Sequence, residues 1–119
     1  MSCAEFISNS FAVRDAAHFA HLSTRSYAQH VALGSFYEAL LPIVDKYAEV
    51  CIGLDQEIPT YPKVKPLDYD DPLELLTDYL EHIQAHSRKD ARGNQALMNI
   101  LAELEELTAQ TIYKMKFLK

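Results

Sequence analysis

The sequence predicts an all-α chain: a bundle of four helices in which a long connection separates the second helix from the third. Three observations carry this reading. Apolar residues recur at helical spacing in four blocks, and runs of alternating β-branched residues are few. There are only three glycines and five prolines, so the blocks are seldom interrupted. Between residues 53 and 71 the composition changes, with Pro59, Pro62 and Pro66 followed by Asp68, Tyr69, Asp70 and Asp71. Neighbouring antiparallel helices need only a few linking residues. A connection this long therefore predicts a crossing of the bundle's length, with helices two and three parallel.

The four helices have identifiable starts and faces. The first spans about Cys3 to Leu22, and Ser2 and Glu5 have the spacing of a capping box. Its apolar surface is assigned to Phe11, Val13, Ala17, Phe19 and Leu22, with Arg14 and Asp15 outside. The second spans about Arg25 to Ile52, capped by Ser23 or Thr24. Within it, Pro42 cannot donate to the carbonyl of Glu38, which predicts a kink. Asp71-Pro72-Leu73-Glu74 opens the third: an acidic cap, proline at the first helical position and a capping glutamate. It continues to about Arg88 on Leu73, Leu76, Tyr79 or Leu80, and Ile83. His82 and His86 lie one turn apart, without an acidic third ligand at matching spacing, and read as a solvated face. The segment from Lys89 to Asn94 is a turn, with Gly93 suited to a left-handed residue. The fourth helix, about Asn94 to Phe117, carries one stripe of Leu97, Ile100, Leu101, Leu104, Leu107, Thr111 and Met115.

The whole chain, residues 1–119, is the size of one domain, and 49% of it is apolar, enough for one core. The net charge of −6 argues against nucleic acid as a partner, because affinity for a phosphate backbone rests on clustered lysine and arginine. Cys3 and Cys51 are too few for a disulfide framework or a thiolate zinc site, and Cys51 reads as a small buried hydrophobe. No stretch reaches membrane-spanning length and no signal segment opens the chain. The cytoplasm is the expected location.

The residues with most chemistry lie between His18 and Glu49. Asp45 and Glu49 are one helical turn apart, so both carboxylates project from one face. His18 and His30 flank the polar turn around Leu22-Ser23-Thr24-Arg25 and can approach each other. Fifteen residues of helix hold His30 and Asp45 about 22 Å apart, too far for one ion. A joint metal site must therefore take its histidines from one chain and its carboxylates from a second chain packed antiparallel. His21, one turn after His18, could replace it or hydrogen-bond to the turn.

This order and spacing resembles Dps proteins, the mini-ferritins of the ferritin-like superfamily. His18, His30 and Asp45-Lys46-Tyr47-Ala48-Glu49 have counterparts there, Phe19 follows the first histidine as an aromatic does, and Phe36-Tyr37-Glu38 matches an aromatic–acidic run. The resemblance implies a ferritin-like bundle with a crossover between helices 2 and 3, and a homo-oligomer of at least a two-fold dimer. It implies iron bound between subunits by His18, His30, Asp45 and Glu49, zinc as an alternative occupant, and ferroxidase chemistry on Fe(II) with O2 or peroxide. No catalytic residue beyond these ligands is implied. Two features depart from the family: Gly34 stands where an acid follows the second histidine, and there is no basic N-terminal tail, so DNA binding is not implied. Glu38, one turn beyond Gly34, could replace that acid only in part and is not counted among the ligands. The competing expectation is a non-enzymatic dimeric interaction protein that kept the scaffold and lost the metal chemistry.

Overall fold

The computed structural model describes residues 2–89, 91 and 93–119. Four helices account for most of them: α1 (Cys3–Ser23), α2 (Tyr27–Asp55), α3 (Pro72–Lys89) and α4 (Gln95–Phe117). Among the described residues there is no strand.

Local chemistry sets the helix ends. Ser2 and Glu5 form the reciprocal capping box, the Ser2 hydroxyl accepting from Glu5 N and the Glu5 carboxylate from Ser2 N, each at 3.2 Å. The cap of α2 is Ser26, not Ser23 or Thr24: its hydroxyl accepts from Gln29 N. Thr24 instead ends α1 and braces the turn, its hydroxyl accepting from Ser26 N. Helix α2 runs through both Pro42 and Gly53 and stops at Gln56, which supplies the left-handed residue at φ 56°. Asp71 caps α3 by accepting from Glu74 N, with Pro72 at the first position. Asn94 caps α4, and Gly93 before it takes φ 65° as its position in the turn predicts. Asp90 and Arg92 of that turn lie outside the described residues.

The core is aromatic at its centre and aliphatic around it. Phe6, Phe36, Tyr47 and Tyr79 are buried with Leu33, Leu40, Leu76, Ile83, Leu97, Leu101 and Leu104. The α4 stripe is as the periodicity predicts except at one place: Thr108 is buried, and Leu107 is only half-buried against the core. On α1 the inward face is Phe6, Ile7, Ser10, Val13, Ala17 and Ala20. Phe11, Phe19 and Leu22 are exposed, contrary to expectation. Aromatic size is no guide to direction here; Phe6 fills the centre, and Ala16, Ala17 and Ala20 are the small buried residues of the later turns.

The helices are arranged as the long connection predicts. Helix α1 packs on α2 and α3, and α4 packs on α2 and α3, so α2 and α3 lie on one diagonal. Early α2 meets early α3 at Phe36 and Tyr79, with ring centroids 6.4 Å apart, and late α2 meets late α3 at Tyr47 and His86. These two helices are therefore parallel. Helix α1 runs against α3, pairing Ser10 with Tyr79 and Phe6 with His86. This is the connectivity of a ferritin-like crossover bundle.

The crossover travels along α1. Tyr61 shares a cavity wall with Cys3, and Tyr69 stacks on Phe19 at 5.5 Å. Sixteen residues of helix cover about 24 Å. The eight residues from Tyr61 to Tyr69 reach at most about 27 Å when extended. The segment has length enough to follow α1 in an extended form, a conformation for which its prolines are suited.

Candidate functional site

The turn between α1 and α2 gathers His18, His21, His30 and Tyr37. His21 and His30 stack with centroids 3.8 Å apart and planes 17° from parallel. Each ring also reaches the other's backbone: His21 Nδ1 lies 2.5 Å from the His30 carbonyl oxygen, and His30 Nδ1 lies 2.8 Å from that of His21. A carbonyl oxygen only accepts, so each Nδ1 carries a proton and donates it. In the neutral rings each Nε2 then holds a lone pair. His18 stacks on Tyr37 at 4.1 Å and lies 6.2 Å from His21. The Arg14 guanidinium lies 5.3 Å from the centroid of the Tyr37 ring.

Helix geometry explains the cluster. His18 and His21 are one turn apart on α1, as are His30, Gly34 and Tyr37 on α2. The short turn folds the two rows onto each other. Gly34 makes the contact close: a Cβ there would stand 2.9 Å from His21 Cε1 and 3.1 Å from Nδ1. The position where the Dps resemblance calls for an acid is therefore covered by an imidazole.

The proposed ligands divide into two groups. His18 and His30 come to the same end of the bundle, with His21 between them. Asp45 and Glu49 are exposed, four to five turns further along α2. They share an outward stripe with Tyr27, Val31, Ser35, Glu38 and Pro42, all exposed. Lys46 turns aside to bond Glu103 of α4 at 2.8 Å, leaving the two acids without a lysine between them on that face. Among the described residues of one chain, no three histidine, cysteine or acidic side chains are placed to hold a metal ion. The stacked pair is itself no chelate, since lone pairs in nearly parallel ring planes do not converge on one ion.

A family model matches residues 21–115, most of the chain. The chain belongs to DUF5856, a family of unknown function. His21, Gly34, His30, Asp45 and Glu49 fall inside the matched stretch, whereas His18 precedes it. No curated protein and no solved structure shows significant similarity to this DUF5856 chain.

Two further groups escaped the sequence reading. His86 is buried, not solvated: its ring stacks on Phe6 at 4.3 Å and its Nε2 lies 2.7 Å from Tyr47 Oη. His82 is half-buried, and desolvation lowers its pKa. Cys3 and Cys51 form a disulfide that ties the start of α1 to the last turns of α2. Cys51 is buried as its pattern predicts, but nothing in the sequence shows that Cys3 lies beside it. No helix of the described residues is long and apolar enough to cross a membrane.

Proposed function

We propose that this DUF5856 chain forms an antiparallel two-fold dimer that binds iron between subunits, His18 and His30 from one chain facing Asp45 and Glu49 of the other. The observation that carries the reading is the hydrogen bond from His30 Nδ1 to the His21 carbonyl. Metal-ligating histidines commonly donate one ring N–H to a carbonyl, which fixes the ring and leaves the other nitrogen for the ion. Imidazole and carboxylate with open positions suit Fe(II) and leave room for O2 or peroxide. Iron is then the substrate, and its oxidation to Fe(III) is the activity the donor set supports. Zinc would occupy the same imidazole and carboxylate donors. The exposed α2 stripe supplies both a dimer face and the two acids, and the resemblance to mini-ferritins supports the same pairing. The cytoplasm is the compartment proposed.

A second reading is favoured by one feature. With Gly34 under the His21 ring, the acid that would be the fifth ligand and would hold a second iron is missing. A dimeric scaffold without redox chemistry fits that loss. Anaerobic Fe(II) titration followed by exposure to O2 separates the two. Binding with stoichiometric oxidation supports the ferroxidase, binding without oxidation limits it to a metal-binding dimer, and no binding leaves the scaffold.

A further inference from the structure

We infer that Cys3 and Cys51 form a thiol–disulfide exchange site for small, positively charged or neutral disulfides, with Cys3 as nucleophile and Cys51 as resolving cysteine. The site lies at the opposite end of α1 from His18, about 22 Å away, and does not depend on the metal reading.

Four observations on different elements converge on it. A cavity of about 360 Å³ is lined by both cysteines together with Ser2, Asp55, Glu57 and Tyr61, so a ligand has room beside half-buried Cys3. Cys3 is the first residue of α1 and half-buried, whereas Cys51 is buried near the end of α2. A thiolate is stabilised at a helix N-terminus and disfavoured at a C-terminus, which separates the roles of the two sulfurs. Behind Cys3 stands a proton route: Sγ is 3.7 Å from Tyr47 Oη, which is 2.7 Å from His86 Nε2. A staple that only cross-linked two helices would have no use for either the cavity or the route.

The chemistry balances as follows. In the reduced protein the Cys3 thiol gives its proton to Tyr47 Oη as Tyr47 passes its own to His86 Nε2, so Tyr47 ends with the proton count it began with. The Cys3 thiolate attacks a disulfide RSSR, forming a mixed disulfide and releasing RS⁻, which takes up the proton. Cys51 sulfur then attacks Cys3 Sγ, giving its proton to the second RS⁻ that leaves. Two protein thiols and RSSR become the protein disulfide and two RSH. Glu57 on the cavity wall sets the preference, because it attracts an ammonium-bearing disulfide and repels a carboxylate-bearing one.

The test uses the full chain. Reduced wild type is mixed with cystamine or with glutathione disulfide, and oxidation is followed by mass spectrometry at low and high salt. Cystamine should react about tenfold faster at low salt, the difference shrinking at high salt. In a Cys51→Ser variant the adduct should be trapped on Cys3. The iodoacetamide rate of Cys3 in that background should rise with a midpoint below that of an ordinary thiol. Adding Tyr47→Phe, or His86→Gln if the first fails to fold, should lower that rate about tenfold at pH 7. Overturning results are equal rates for the two disulfides at low salt, or Cys3 reacting no faster than in urea-unfolded chain with Tyr47→Phe without effect. Either would leave a structural staple only.

Discussion

The imidazole of His21 lies against the Cα of Gly34, close enough that a Cβ on Gly34 would stand 2.9 Å from His21 Cε1. Two helices are pinned together here by a contact that only glycine allows. The ring cannot swing away freely, because it is stacked on His30 and bonded to the His30 carbonyl. An acid at position 34 would not simply complete a ligand set, as the resemblance alone would have it. It would displace His21.

Gly34→Ala should therefore destabilise the fold although alanine is the better helix former. The helix gains roughly 0.5–1 kcal/mol from the substitution. Overpacking against a held ring costs about 1–3 kcal/mol, so the net is a loss of about 1 kcal/mol. In a His21→Ala background the ring is gone and Gly34→Ala should stabilise instead. Urea midpoints of the four proteins give the coupling directly. Additivity across that cycle would show that the two residues do not constrain each other.

Tyr79 and Ser10 make a second test, in the core. Tyr79 Oη donates to Ser10 Oγ at 2.8 Å, both residues being fully or almost fully buried. Tyr79→Phe leaves the Ser10 hydroxyl without its partner and should cost about 1–2 kcal/mol, while the double variant with Ser10→Ala should recover much of it. Burial also raises the Tyr79 pKa above the tyrosine range. The sign follows: the neutral phenol favours the fold, so its contribution is fully present below the unfolded value near 10 and is lost as pH climbs beyond it. Wild type should lose about 1.4 kcal/mol per pH unit more than Tyr79→Phe above that point. Parallel alkaline limbs would contradict the assignment.

Much of the scaffold was legible because it depends on local chemistry. Capping at Ser2 and Asp71, the left-handed Gly93, most of the α4 stripe and the proline-rich crossover each follow from neighbours in sequence. Helices two and three could be read as parallel because the length of a connection limits how its ends pair. What was not legible depends on residues distant in sequence. His86 looks like a surface histidine until Tyr47, 39 positions away, and Phe6 are packed on it. Cys3 and Cys51 are 48 positions apart, and only the antiparallel pairing of α1 with α2 brings them together. Phe11, Phe19 and Leu22 failed for the opposite reason: α1 is apolar on more than one side, and periodicity alone did not choose between sides. At the candidate site, the gathering of His18 and His30 at one end of the bundle and a hydrogen bond from His21 were legible from the turn, whereas the close approach of His21 to Gly34 was not, because it rests on a glycine in another helix.

The disulfide should also matter to stability. Closing a loop with a sequence separation of 48 removes chain entropy worth about 4 kcal/mol in the unfolded state. A Cys3→Ala, Cys51→Ala protein should lose about 2–4 kcal/mol, read as a lower urea midpoint, and wild type should fall to nearly the same midpoint when reductant is added. A midpoint that does not respond to reductant would mean that the bond does not constrain the folded chain.

The sharpest test of the shared metal site is subunit exchange. His30→Ala removes an imidazole and Glu49→Ala a carboxylate, and each alone damages both symmetry-related sites of a homodimer. In a mixed dimer the ligands sort differently, since histidines come from one chain and acids from the other. One site then receives both defects. The other draws His30 from the Glu49→Ala chain and Glu49 from the His30→Ala chain, so it is intact. Equal mixing with free exchange makes half of the dimers mixed and should restore about a quarter of the wild-type sites. Fe(II) bound per chain, measured before and after mixing by equilibrium dialysis, reads this out without requiring oxidation. Recovery near that level places the ligands across an interface. If each variant alone binds as wild type does, these residues are not the ligands; if both are impaired and mixing restores nothing although exchange is demonstrated by mass spectrometry, the site is not shared between chains.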